Sequence, residues 1–131
     1  MTLLHWNPNL SIGIAEVDRE HREFVDLVNR LHAELGPART GPTAAAFVRR
    51  VQADVAAHFA HEEQAMRERG YEALAEHRAS HVHLLEELGD ALRELDAGLP
   101  LNDERFARWL SAWLADHFQL HDARFQRYPA R

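Results

Sequence analysis

The sequence predicts an all-α protein, an antiparallel up-down-up-down four-helix bundle with an N-terminal arm. Three observations carry that prediction. Glycine and proline gather at Gly36-Pro37 through Gly41-Pro42-Thr43, at Gly70, and at Gly98-Leu99-Pro100, dividing the chain into long stretches. Within each stretch apolar residues recur at steps of three and four, the spacing of one helix face. No stretch alternates apolar and polar residues as a half-buried strand does. Four amphipathic helices with short connections pack as neighbours running in opposite directions.

The first helix is expected to start near Asp18, a good N-cap, and to stop by Gly36; Phe24, Val25, Val28, Leu31 and Leu35 form its apolar face. The second is expected from about Thr43 to about Arg69, with Phe47, Val51, Val55, Phe59 and Met66 along one side. The third follows Gly70, ends before Gly98, and carries Leu84, Leu85, Leu88, Leu92 and Leu95. The fourth opens at Asn102-Asp103-Glu104, a cap followed by acidic first-turn residues, and carries Phe106, Trp109, Leu110, Trp113 and Leu114. Residues 1–17 form the arm, with Trp6 and Ile14 expected to pack on the bundle.

Composition narrows the chemistry. At 131 residues, 46% hydrophobic, the chain suits one compact domain over 1–131. Fifteen basic residues against 21 acidic give a net charge of −6, which argues against nucleic acid as a partner. Cysteine is absent, so disulfides, thiolate metal sites and thiol nucleophiles are excluded together. No segment approaches the roughly 18 uninterrupted apolar residues of a membrane span, and the N-terminus has no signal-peptide pattern. The expectation is a cytoplasmic protein without a membrane association. Histidine is the outlier, with ten residues.

Projected onto the bundle, the histidines converge. His21 lies about one turn into the first helix, His58 and Glu62 toward the end of the second, His77 and His81 near the start of the third, and His117 and Asp122 at the end of the fourth. In an up-down-up-down bundle those four places share one pole. His58 to Glu62 and His77 to His81 are i,i+4 pairs, so each places two side chains on one face about 6 Å apart. His117 to Asp122 is i,i+5, which a regular α-helix rotates roughly 140° apart, so a widened turn or the helix end is expected there. Five histidines and two carboxylates are too many for one tetrahedral zinc. They suit two six-coordinate metals sharing carboxylates, and imidazole with carboxylate is a donor set that iron favours.

At this point the sequence resembles the hemerythrin family, specifically its bacterial members. The resemblance runs from about Trp6 to Phe125 and rests on four runs. These are Val17-Asp18-Arg19-Glu20-His21; His58-Phe59-Ala60-His61-Glu62-Glu63 with Met66; Tyr71 followed by His77-Arg78-Ala79-Ser80-His81; and Trp113-Leu114-Ala115-Asp116-His117 with Asp122. It implies two iron ions bridged by a solvent-derived oxo or hydroxo group. His77, His81 and His117 would hold one, His21 and His58 the other, and Glu62 and Asp122 would bridge them. It also implies reversible O2 binding at the iron that has two histidines. Two positions depart from the commoner pattern: Glu20 replaces a frequent Gln, and Phe125 stands where a Tyr is often found.

The function expected is O2 storage, delivery or scavenging by a protein that is not an enzyme, with any protein partner unknown. Ferritin-like di-iron oxidases supply four carboxylates. Two carboxylates here leave more positive charge on a ferric pair and favour binding over O–O cleavage. An oxygen- or redox-sensing module is the alternative, and a peroxide- or nitric-oxide-handling enzyme a third reading. A chain that ends directly after the fourth helix favours the binding protein over the sensor. Phe24, Phe59, Trp113 and Met66 are expected to wall the pocket from water, and the small Ala115 to leave the irons poorly shielded. His5, His32, His61, His83 and His121 are expected to be surface or incidental residues.

Overall fold

A computed structural model describes residues 2–128. It contains helices α1 (Ala15–Leu35), α2 (Gly41–Glu68), α3 (Leu74–Asp96) and α4 (Asp103–Asp116), then a π-helical turn, His117–Asp122, and the short helix α5 (Ala123–Gln126). A single 3-10 turn, Pro8–Leu10, precedes them. No strand occurs among the described residues. The four-helix, all-α prediction is borne out.

Helix ends follow local chemistry. Asn102 caps α4 by accepting from Arg105 N at 2.9 Å, as its sequence predicts. Pro42 sits in the first turn of α2, where its missing N–H costs nothing. Asp18 is not the N-cap of α1. The helix begins about a turn earlier, at Ala15, because the Asp18 carboxylate folds back onto the arm. It accepts from Ser11 Oγ at 2.5 Å and Ile12 N at 2.9 Å. Gly70, at φ +62°, turns the chain between α2 and α3 in a conformation open to glycine.

The arm is also attached differently from expectation. Ile14 is exposed, whereas Leu4 and Leu10 are each only 2% exposed. Trp6 does pack on the bundle and lies under the Arg22 guanidinium, 4.8 Å from the ring centroid.

The main core runs along all four helices, through Val25, Val28 and Leu31, Val48, Val51 and Val55, Leu84 and Leu88, and Leu110 and Leu114. Each such burial contributes about 1.5–3 kcal/mol of transfer free energy. A second, smaller cluster of Met66, Tyr71, Ala73 and Phe125 lies apart from it. Going along α2, the main core ends at Phe59 and the small cluster begins at Met66; the small cluster takes in Ala73, just before α3, and the main core resumes along α3 at Leu84. The intervening layer holds the histidines. Leu101 N donates to Arg39 O at 2.7 Å, which ties the two loops at the opposite pole together.

Candidate metal centre

All seven residues singled out by spacing come together. His21 projects from the second turn of α1, His58 and Glu62 from the last turns of α2, and His77 and His81 from the first turns of α3. His117 and Asp122 are the first and last residues of the π turn. The i,i+5 spacing predicted a widened turn, and the wider winding brings both side chains inward. His21, His77, His81, His117 and Asp122 are at most 3% exposed. His58 and Glu62 are half-buried.

The donor atoms form two groups that share Glu62: Glu62, His77, His81, His117 and Asp122 in one, and His21, His58 and Glu62 in the other. His77 Nε2 and His81 Nε2 lie 3.1 and 3.2 Å from His117 Nε2. Asp122 Oδ1 lies 2.9 Å from His77 Nε2 and 3.1 Å from His117 Nε2, while its Oδ2 lies 3.1 Å from His21 Nε2. Glu62 Oε1 lies 3.1 Å from His81 Nε2, and its Oε2 lies 3.3 Å from His58 Nε2. Each carboxylate therefore gives one oxygen to each group.

These contacts have the character of ligands around a centre rather than of hydrogen-bonded pairs. Glu62 Oε1 and both Asp122 oxygens are buried with no aligned hydrogen bond among the described residues, although imidazole nitrogens sit beside them. Adjacent ligands of a six-coordinate ion with bonds of about 2.1 Å stand roughly 3 Å apart, which is the spacing seen. The cluster is able to hold metal, and its nitrogen and carboxylate donors fit iron.

Charge is concentrated here. Burial works against ionised Glu62 and Asp122, yet the imidazoles around them hold both carboxyls well below the usual range. Burial also opposes charge on His77, but Asp122 and Glu62 outweigh it and lift the imidazole to about 9. His117 goes the other way: burial lowers it, and the nearby His77 adds to the effect despite Asp122. Imidazoles this close cannot all carry a proton. A cation between them resolves the same conflict.

Aromatic rings cover the cluster. Phe59 stacks on His81 at 3.7 Å, Trp113 on His117 at 4.5 Å and Phe118 on His21 at 3.6 Å between centroids. A cavity of about 10 Å³, room for one small molecule, lies against His58, His117, Glu62 and Asp122. Phe24, Phe59, Leu84, Leu114 and Phe118 supply its apolar wall. Met66 is not in that wall but in the separate cluster with Tyr71. Ala115 is not in it either; its half-buried side chain packs on the main core, and the neighbouring Leu114 faces the cavity.

Sequence reasoning missed several residues. Glu63 Oε2 lies 2.9 Å from His81 Nδ1, and Ser80 Oγ lies 2.9 Å from His117 Nδ1. Glu63 had a signal, since it follows Glu62 directly and lies one turn after Phe59. Two histidines expected to be incidental are placed otherwise. His32 Nε2 meets Asp103 Oδ2 at 2.9 Å, and the ring of His121 lies 5.3 Å from that of His117. His5, His61 and His83 are exposed, as expected.

Comparison with known proteins agrees with the site. The hemerythrin HHE cation binding domain family matches residues 12–128. The chain is 33% identical to a bacteriohemerythrin of Stenotrophomonas maltophilia over 125 residues, covering 93% of this chain and 78% of that protein. It is 30% identical to a bacteriohemerythrin of Pseudomonas aeruginosa over 126 residues, covering 94% and 79%. The crystal structure of a wild-type hemerythrin superposes with a TM-score of 0.72 at 25% identity, over 94% of this chain and 95% of that one. No described helix is long and apolar enough to cross a membrane. The chain belongs to the hemerythrin family, and with that membership comes an iron-binding, O2-related role.

Proposed function

We propose that the seven residues hold two iron ions and that the protein binds O2 reversibly, for storage, delivery or scavenging, without turning over a substrate. His77, His81 and His117 would hold one ion and His21 and His58 the other, with Glu62 and Asp122 shared between them. One observation carries this reading: both carboxylates divide their two oxygens between the two histidine groups. A ferrous pair held there would supply the electrons that O2 binding requires. The protein supplies the rest. Phe24, Phe59, Leu84, Leu114 and Phe118 exclude water from the cavity beside His58. The cavity is bordered by one histidine from each group, His58 and His117, and by both carboxylates, so a small ligand there has room beside the cluster.

The test is an optical titration of purified, reduced protein with O2, alongside its iron content. Two irons per chain and a near-ultraviolet and visible band that reverses when O2 is removed are expected. Zinc, or a single metal per chain, overturns the site assignment. Rapid irreversible oxidation coupled to substrate turnover overturns reversible binding in favour of an enzyme.

A further inference from the structure

The three histidines of the larger group differ in what their second ring nitrogen meets. His81 Nδ1 lies 2.9 Å from a Glu63 carboxylate oxygen, and His117 Nδ1 lies 2.9 Å from the Ser80 hydroxyl. His77 Nδ1 is buried without a hydrogen-bond partner among the described residues. With each Nε2 turned to the shared centre, Nδ1 carries the ring proton. His81 thus donates to an anion and His117 to a neutral oxygen. The Glu63 side chain is only 13% exposed, and its other oxygen stands 3.7 Å from both Arg67 and Arg78. Those arginines are exposed and too far for tight hydrogen bonds, so the Glu63 charge is directed at His81. Consecutive residues on α2 point about 100° apart, which lets Glu62 reach into the group while Glu63 grips His81 from outside.

We propose that Glu63 is a positioning residue that sets both metal retention and redox balance at the three-histidine position. Its carboxylate fixes the His81 tautomer and orientation, and by drawing on the Nδ1 proton it makes Nε2 a stronger donor. A stronger donor favours the more highly charged ion, so ferric iron is stabilised over ferrous. Ser80 gives His117 the same orientation without the charge. The inference rests on the two-iron reading and deepens it.

The test compares Glu63→Gln, Glu63→Asp and Ser80→Ala with the parent protein. Ferrous-loaded samples are challenged with a chromogenic chelator without oxygen, and the midpoint potential is measured by spectroelectrochemistry. Glu63→Gln is expected to release one of its two ions about 10- to 100-fold faster. Its potential is expected to rise, by about 59 mV for each tenfold loss in ferric preference. Ser80→Ala is expected to shift the potential less. Glu63→Asp keeps the charge on a shorter stem, so it is expected to release the ion faster while holding its potential near the parent's.

A merely structural role would lower the melting temperature of the metal-free protein and leave the potential alone. The proposal is overturned if Glu63→Gln matches the parent in release and potential, if Ser80→Ala shifts the potential as far, or if Glu63→Asp shifts it fully. Where the amide variant fails to fold, Glu63→Asp decides the matter: a potential displaced from the parent's by as much as that of Ser80→Ala, or more, overturns the proposal. A parent protein that binds no iron pair overturns the two-iron reading instead, which keeps the two failures distinct.

Discussion

Phe118 shows how one side chain can serve packing and chemistry together. Its ring lies flat on His21, 3.6 Å between centroids and 2° between planes, and it also walls the cavity. The stack leaves His21 little freedom to rotate and excludes water from one face. Phe118→Leu keeps an apolar side chain but loses the ring contact. The expected cost is about 1 kcal/mol, read as a fall of roughly 4 °C in melting temperature. Under the proposed O2 binding, faster autoxidation is expected with it, because the smaller side chain admits water; an unchanged rate would show that Phe118 is packing alone. Sequence reasoning named Phe24, Phe59 and Trp113 but not Phe118. In a regular α-helix the residue after an inward histidine turns about 100° away. The π turn relaxes that constraint, and His117 and Phe118 are both buried.

Among elements, the N-terminal arm has the clearest single attachment. Asn29 on α1 accepts from Leu4 N at 2.8 Å and donates to Leu4 O at 2.9 Å, replacing both hydrogen bonds a strand neighbour would supply. Asn29→Ala leaves these backbone groups unpaired beside the buried Leu4 side chain. A loss of about 1–3 kcal/mol is expected in denaturant unfolding. Hydrogen exchange should rise first at Leu4 and Leu10, and protection that stays at the parent's level would contradict this role. A second attachment joins the arm to the π turn, where Gln119 Nε2 donates to Ser11 O at 2.6 Å and Asn9 O at 2.9 Å. The i,i+5 spacing made the widened turn legible in the sequence. The arm's attachment was not, because an asparagine on a helix surface carries no sign of which distant backbone it will meet.

Over the whole molecule the two poles have different duties. Opposite the metal pole, Asp103 at the start of α4 joins Arg39 and His32. Arg39 Nε and Nη2 each stand 2.8 Å from one of its oxygens, and His32 Nε2 stands 2.9 Å away. Burial works upward on Asp103, but Arg39 and His32 hold its carboxyl below the ordinary 3.8. A lowered folded value means the contribution is complete above 3.8 and is lost as pH falls through the folded value. Asp103→Asn is therefore expected to cost about 1 kcal/mol at neutral pH, allowing for screening of a partly exposed pair, and nothing in strong acid. Chemical denaturation at both pH values checks the sign. At the metal pole, removing iron should lower the melting temperature by about 10 °C or more. Ions held at a thousand times their dissociation constant add roughly 4 kcal/mol. Equal melting temperatures with and without iron would show that the cluster holds no ion in solution.

By itself the sequence determined the fold class, the pole where the seven side chains meet, and the irregular turn between His117 and Asp122. Each of these follows from residue spacing along a helix of known pitch, a local property that needs no partner to be read. Tertiary structure alone decided how each carboxylate divides its oxygens and which ring stacks on which imidazole. It also placed Leu114 rather than Ala115 at the cavity, gave His81 its anionic partner, and set His32 within hydrogen-bond distance of Asp103. These depend on how helices distant in sequence are set against one another in rotation and height. A shift of an ångström there, which no helical repeat records, separates a buried hydrogen bond from an exposed side chain.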